Sequence, residues 1–178
     1  MTILIIKLVV FAVGTAGVVF ISFYSAGRLR SYGLIRFFTF ESILALILVN
    51  VDYWFRDPFS IAQIISWIIL IASIVTVSSG FNILRKLGES EHVIDDTRVL
   101  VTSGIYRYIR HPLYGSLILL AVGVFLKDIS PLSIALTLIA CILSVAIARV
   151  EEKDDVRKFG EEYLSYMRKT KMFIPFII

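Results

Sequence analysis

The chain has 178 residues, 58% of them hydrophobic, and a mean hydropathy of +0.86. Soluble domains hold roughly 45–50% apolar residues, and here the excess falls in long runs rather than amphipathic stripes, which excludes a water-soluble globule. The net charge of +4 comes from 18 Lys+Arg against 14 Asp+Glu; this suits one face of a membrane and no nucleic-acid partner. The single cysteine, Cys141, excludes an internal disulfide and a cysteine-built zinc centre, and no metal is expected.

The first apolar run covers residues 3–24. It is longer than the h-region of a signal peptide, about 7–15 residues, and only Lys7 lies near its start, so it reads as a retained span. The second run, 37–55, contains Glu41 near the end where Arg36 can pair with it, and Glu41 reads as structural. The third, 61–77, leads into Ser78-Ser79-Gly80, where Gly80 reads as a packing glycine. The fourth, 114–126, is short, and the fifth covers 132–148. Lys127-Asp128-Ile129-Ser130-Pro131 between them reads as a tight turn that makes the pair a helical hairpin.

The expected fold is therefore an all-α integral membrane protein with about five transmembrane helices, the last two a hairpin, and a C-terminal helical segment. Basic residues set the orientation. Arg28, Arg30 and Arg36 are assigned to the first loop, and Arg85, Lys86, Arg98, Arg107 and Arg110 to the third. The tail holds Lys153, Arg157, Lys158, Arg168, Lys169 and Lys171, against only Lys7, Arg56 and Lys127 elsewhere. The N-terminus is expected outside, with the first loop, third loop and tail on the cytoplasmic face. Composition shifts near Gly80, so chemistry is expected after it.

Three polar segments carry that expectation. In Gly104-Ile105-Tyr106-Arg107-Tyr108-Ile109-Arg110-His111-Pro112-Leu113-Tyr114-Gly115, Pro112 starts a helix and holds His111 extended at the N-cap. A helix N-terminus beside Arg110 binds anions such as carboxylates. The same residues also read as an interfacial belt with a snorkelling arginine. In Arg149-Val150-Glu151-Glu152-Lys153-Asp154-Asp155, the two glutamates are either a functional pair at the end of a span or a solvated exit, and the two aspartates read as solvated. In Phe159-Gly160-Glu161-Glu162-Tyr163-Leu164-Ser165-Tyr166, Gly160 interrupts the helix, and the aromatic stripe reads as a segment lying on the membrane surface. His92 has no motif partner by spacing and reads as a solvated loop histidine.

In order along the chain, Gly104-Ile105-Tyr106, Arg110-His111-Pro112-x-Tyr114, an apolar hairpin, Glu151-Glu152, Phe159-Gly160-x-x-Tyr163-x-x-Tyr166 and Ile174-Pro175-Phe176 resemble the isoprenylcysteine carboxyl methyltransferase family, which is similar to the phospholipid N-methyltransferases. The resemblance covers roughly residues 92–177. It implies a membrane enzyme that uses S-adenosyl-L-methionine and a lipidic or prenylated methyl acceptor, with residues 1–80 as a three-helix scaffold and 81–178 as the cofactor-binding catalytic region. It implies cofactor contacts for His92, Asp95, Arg98, Val99, Leu100, Val101, Tyr106, His111, Pro112, Leu113 and Tyr114, and a cofactor-holding carboxylate at Glu151. The family's substrate-binding arginine falls at Ile147 here, and the nearest arginine is Arg149.

For the reaction, Arg110 is the candidate partner of a carboxylate, Arg149 the candidate positioner and Glu152 the candidate base. A carboxylate acceptor needs only a cation to position it, whereas an amine acceptor needs a base; the residues offer both. Carboxyl methylation of a prenylated cysteine is the expected activity, with phospholipid or other amine N-methylation as the alternative. A second alternative is an NADPH-dependent isoprenoid or sterol reductase, whose C-terminal region is similar but follows more spans.

Overall fold

The computed structural model describes residues 2–24, 32–87 and 99–174. The regular elements among them are helices: α1 (Thr2–Val19), α2 (Gly33–Asn50), α3 (Ile61–Leu87), α4 (Pro112–Phe125), α5 (Pro131–Phe159) and α6 (Glu161–Lys169). Short 3-10 or π turns cover Phe20–Tyr24, Val51–Tyr53 and Gly104–Arg107. Four stretches are long and apolar enough to cross a membrane: Thr2–Phe23, Gly33–Tyr53, Ile61–Leu87 and Pro131–Phe159. With 14 residues, α4 is about 21 Å long against a hydrocarbon core of roughly 30 Å. Among the described residues, four of the five apolar runs expected to span thus lie in helices of spanning length, and the fourth run lies in a shorter apolar helix.

Helix ends depart from the apolar runs. The run assigned to 61–77 continues as helix to Leu87, and the run assigned to 132–148 continues to Phe159. Hydropathy marks where lipid ends, whereas the backbone keeps its i→i−4 bonds wherever good helix formers follow, as Arg85, Lys86, Glu151 and Lys153 do. Arg36, assigned to a loop, lies in the first turns of α2 and is buried.

Ile43, Leu46, Leu70, Ala121, Val124 and Ala140 form the apolar core. Helices cannot associate in lipid by hydrophobicity alone, so close backbone approach and polar bonds carry specificity. Ser66 Oγ donates to Gly123 O at 2.6 Å and Ser73 Oγ to Ser116 O at 2.8 Å, tying α3 to α4. Asn50 Nδ2 donates to Val124 O at 2.9 Å and its Oδ1 accepts from Ser133 Oγ at 2.9 Å, joining α2 to the hairpin. A Cβ on Gly80 would lie 3.1 Å from Pro112 Cγ, so α3 passes closely over the start of α4. Outward residues such as Ile3, Leu4, Ile68, Ile71, Leu138 and Ile142 are exposed, as a lipid-facing surface requires.

Helix α1 packs along α2. Thr15 Oγ1 donates to Glu41 Oε1 at 2.7 Å, and Lys7 Nζ lies 2.5 Å from Asp52 Oδ2, so the two helices run antiparallel. The Asp52 end also holds buried Lys127, whose Nζ donates to Gln63 Oε1 at 2.9 Å and sits 3.8 Å from the Trp67 ring centroid.

Candidate active site

The opposite end of the bundle contains a cavity of about 680 Å³. Its floor is organised around His111. Pro112 occupies the first turn of α4, as proline chemistry favours, and His111 is the N-cap with extended φ of −121° and no side-chain cap bond. The imidazole is therefore free to turn away from its own helix and meet α5. The segment before it is pinned by the tail: Arg110 N donates to Lys171 O at 2.8 Å, His111 N to Met172 O at 3.1 Å, and Lys171 N to Tyr108 O at 3.1 Å. This short parallel bridge ties α4 to the C-terminal segment without a sheet.

Two carboxylates of α5 flank the imidazole. Nδ1 lies 3.6 Å from Glu151 Oε2 and Nε2 lies 3.4 Å from Glu152 Oε1, separations of an ion pair rather than of directed hydrogen bonds. Burial pulls the His111 pKa down, but the two glutamates outweigh it and push it up to about 9. The histidine is thus a cation at neutral pH. Tyr114 donates its phenol hydrogen to Glu151 Oε1. Arg110 Nε donates to Glu152 Oε1 at 2.6 Å, and its Nη1 donates to Thr170 O at 2.6 Å.

One face of α5 supplies much of the polar wall. Glu151, Asp154, Asp155 and Lys158 all line the cavity, and offsets of three, four and seven put them on one side of a helix. Tyr32, just before α2, donates to Asp154 Oδ2, which holds the phenol pKa up at about 12, and Arg157 Nη1 pairs with Asp154 Oδ1 at 3.1 Å. The cap of the cavity is α6, entered through Gly160 at a φ of 59°. Tyr163 and Tyr166 are only 2% and 8% exposed, and Tyr166 Oη donates to Tyr106 O at 2.6 Å. Burial pushes the phenols of Tyr106, Tyr163 and Tyr166 up, so all three stay neutral donors. An apolar wall comes from Phe40 of α2, Val77, Phe81 and Leu84 of α3, and Leu117 of α4.

Of the residues expected to hold a cofactor, Leu100, Val101, Tyr106, His111, Pro112, Leu113, Tyr114 and Glu151 line this one cavity. Val99 is about half exposed and is not part of the lining; His92, Asp95 and Arg98 lie outside the described residues. Of the residues expected to act on the acceptor, Arg110 lines the cavity, Glu152 is buried in the pair with it behind the lining, and Arg149 is exposed on α5 away from it. The structure adds Tyr32, Arg36, Asp154 and Asp155 to the lining. The two aspartates read as solvated in sequence, yet their spacing from Glu151 is the helical signal that reveals them. Likewise the aromatic stripe of α6, expected on the membrane surface, faces inward.

The donor set suits S-adenosylmethionine. A cavity of this volume is in the range for a nucleoside cofactor with room for a second ligand. Aromatic and apolar side chains suit an adenine, Glu151 suits an ammonium, and the start of α4 beside cationic His111 suits a carboxylate.

Residues 61–162 match the family model described as phospholipid methyltransferase. Protein-S-isoprenylcysteine O-methyltransferase B of Arabidopsis thaliana is 27% identical over 129 residues, which is 71% of this chain and 62% of that protein. Protein-S-isoprenylcysteine O-methyltransferase A of the same plant is 30% identical over 128 residues, again 71% of this chain and 62% of the relative. The Homo sapiens protein-S-isoprenylcysteine O-methyltransferase is 33% identical over 115 residues, 60% of this chain and 36% of its own length. The chain thus spans less than two thirds of the length of these relatives.

Proposed function

Because the chain belongs to the phospholipid methyltransferase family, we propose that it is an integral membrane S-adenosylmethionine-dependent methyltransferase that esterifies the carboxylate of a prenylated cysteine. The observation that carries this reading is Glu151, held between Tyr114 and His111 in a cavity that is polar on its α5 side and apolar on its α3 side. Polar cofactor and greasy acceptor need opposite walls, and one cavity offers both.

When bound, S-adenosylmethionine supplies a methyl group on a positively charged sulfonium. Glu151 would hold the amino group of its methionyl end, and the first turn of α4 with His111 would hold its carboxylate. Tyr106, Leu100 and Val101 would wall its adenine. The Arg110–Glu152 pair holds the His111 segment in place from behind. An acceptor carboxylate is ionised at neutral pH and needs no base, so the work of these residues is alignment and exclusion of water. The named relatives act on isoprenylcysteine, which favours this acceptor.

The second reading is methylation of an amine headgroup. Asp154 and Asp155 in the lining favour it, because carboxylates suit an ammonium and can take its proton. In both readings the cavity end of the bundle faces the cytoplasm and the N-terminus lies outside, an orientation supported by the basic residues near that end. Residues 81–178 then form the cofactor-binding region, while the 1–80 helices are a scaffold that also contributes a wall.

The test is calorimetric titration of the detergent-purified protein with S-adenosylhomocysteine and with NADPH, followed by incubation of labelled cofactor with N-acetyl-S-farnesyl-cysteine and with total membrane lipid. Binding of the thioether and a base-labile label on the farnesyl-cysteine are expected. Base-stable label in a phospholipid headgroup would move the assignment to N-methylation, and NADPH binding alone would end the methyltransferase reading.

A further inference from the structure

Arg36 is a cavity residue with no part in the methyl transfer described above. It lies in a helix apolar enough to cross a membrane, is 4% exposed, and lines the cavity. An arginine at such depth is costly in lipid and is kept where it meets water, a partner or a ligand. Tyr32, Arg36 and Phe40 all line the cavity, and their spacing of four puts them in one row along α2. The row is graded. Tyr32 is at the polar mouth with Asp154 and Arg157. Phe40, two turns deeper, joins the apolar wall of Val77, Phe81 and Leu84. Arg36 sits between, about 6 Å from each level along the axis. The row therefore matches an amphiphile with an anionic head and a long apolar chain.

The other arginines of the lining are Arg110, which holds Glu152 and the Thr170 carbonyl, and Arg157, which is largely exposed and pairs with Asp154. We propose that Arg36 of α2 is the acceptor-binding cation of this cavity: its guanidinium receives the carboxylate of a prenylated cysteine while the prenyl chain runs past Phe40 toward α3. A planar fork suits a carboxylate bidentately, which an ammonium does not match. The proposal rests on the methyltransferase reading and commits it to the acidic acceptor.

The experiment uses the full chain in detergent as wild type and as two variants, Arg36→Gln and Arg36→Lys. Each is titrated with S-adenosylhomocysteine and assayed on N-acetyl-S-farnesyl-cysteine, with the farnesyl-cysteine carboxamide as competitor. In wild type the acid should bind more tightly than the amide. Arg36→Gln should bind S-adenosylhomocysteine as wild type does, raise KM for the acid about tenfold or more, and lose the preference for acid over amide. Arg36→Lys should recover part of that preference. A merely structural arginine would weaken acid and amide alike, and that result overturns the proposal. So does loss of S-adenosylhomocysteine binding in Arg36→Lys, which would give the arginine to the cofactor, or a wild type that does not distinguish acid from amide. Wild type that binds no S-adenosylhomocysteine instead overturns the parent reading, which separates the two failures.

Discussion

Arg110 Nε lies 2.6 Å from Glu152 Oε1, and both side chains are about nine-tenths buried. The same guanidinium donates to the carbonyls of Met167 at 3.3 Å and Thr170 at 2.6 Å. One side chain thereby joins the segment before α4, the end of α5 and the end of α6. Removing one member of a buried pair leaves the other charge without compensation, which costs about 3–5 kcal/mol. Arg110→Ala should lower stability by that amount in detergent thermal unfolding. Replacing both members with apolar residues should recover much of it, because no orphan charge remains. If the double variant is as unstable as the single one, the carbonyl bonds rather than the ion pair carry the effect.

Glu151 does different work from its neighbour. It faces the cavity and is held by Tyr114 and His111 rather than by an arginine. Glu151→Gln keeps the shape and removes the charge. Calorimetry should show S-adenosylhomocysteine affinity falling about tenfold or more, the scale of a lost hydrogen bond to a charged group, with helix content by circular dichroism unchanged. Tyr114→Phe should give a smaller loss, since it removes only the group that orients the carboxylate.

How far the sequence reveals this site can be followed residue by residue. Pro112 has one favoured place in a helix, so the start of α4 and the N-cap role of His111 were legible, as was the break at Gly160. These rest on local covalent constraints. Arg36 was not legible as a buried residue, because hydropathy cannot say whether a charge next to an apolar run is the last residue outside or the first inside. The face of α6 was ambiguous for a similar reason: a stripe of Phe159, Tyr163 and Tyr166 looks alike whether it meets lipid or protein. Only the packing of α6 over Tyr106 decides it. Asp154 and Asp155 were recoverable in principle, by continuing the helix of Glu151 past the apolar run and following its face.

Gly104 offers a test of the turn that aims Tyr106. Its φ is +59°, a region L-residues with a Cβ avoid, and a Cβ there would lie 2.2 Å from Ile83 Cδ1. Gly104→Ala therefore costs about 1–2 kcal/mol from the backbone alone, and the contact with α3 adds to it unless Ile83 moves. The expected result is a lower unfolding temperature that Gly104→Ala/Ile83→Ala partly restores. Restoration would place the strain in the side-chain contact; its absence would place it in the backbone.

His111 makes stability depend on pH. Its pKa stands at about 9 in the folded chain against 6.5 for an unperturbed histidine, because Glu151 and Glu152 outweigh the effect of burial. A group whose folded pKa is raised binds its proton more tightly when folded. The resulting stability is complete below pH 6.5 and is lost as pH rises through about 9. Unfolding temperatures taken from about pH 6 to 10 should therefore fall along the alkaline limb. His111→Asn, which cannot take a proton, should start from a lower plateau and show a flatter limb over the same range. Glu151→Gln should move the limb to lower pH by removing one of the two charges that hold the proton. A wild-type limb identical to that of His111→Asn would mean that the imidazole is neutral between its two carboxylates.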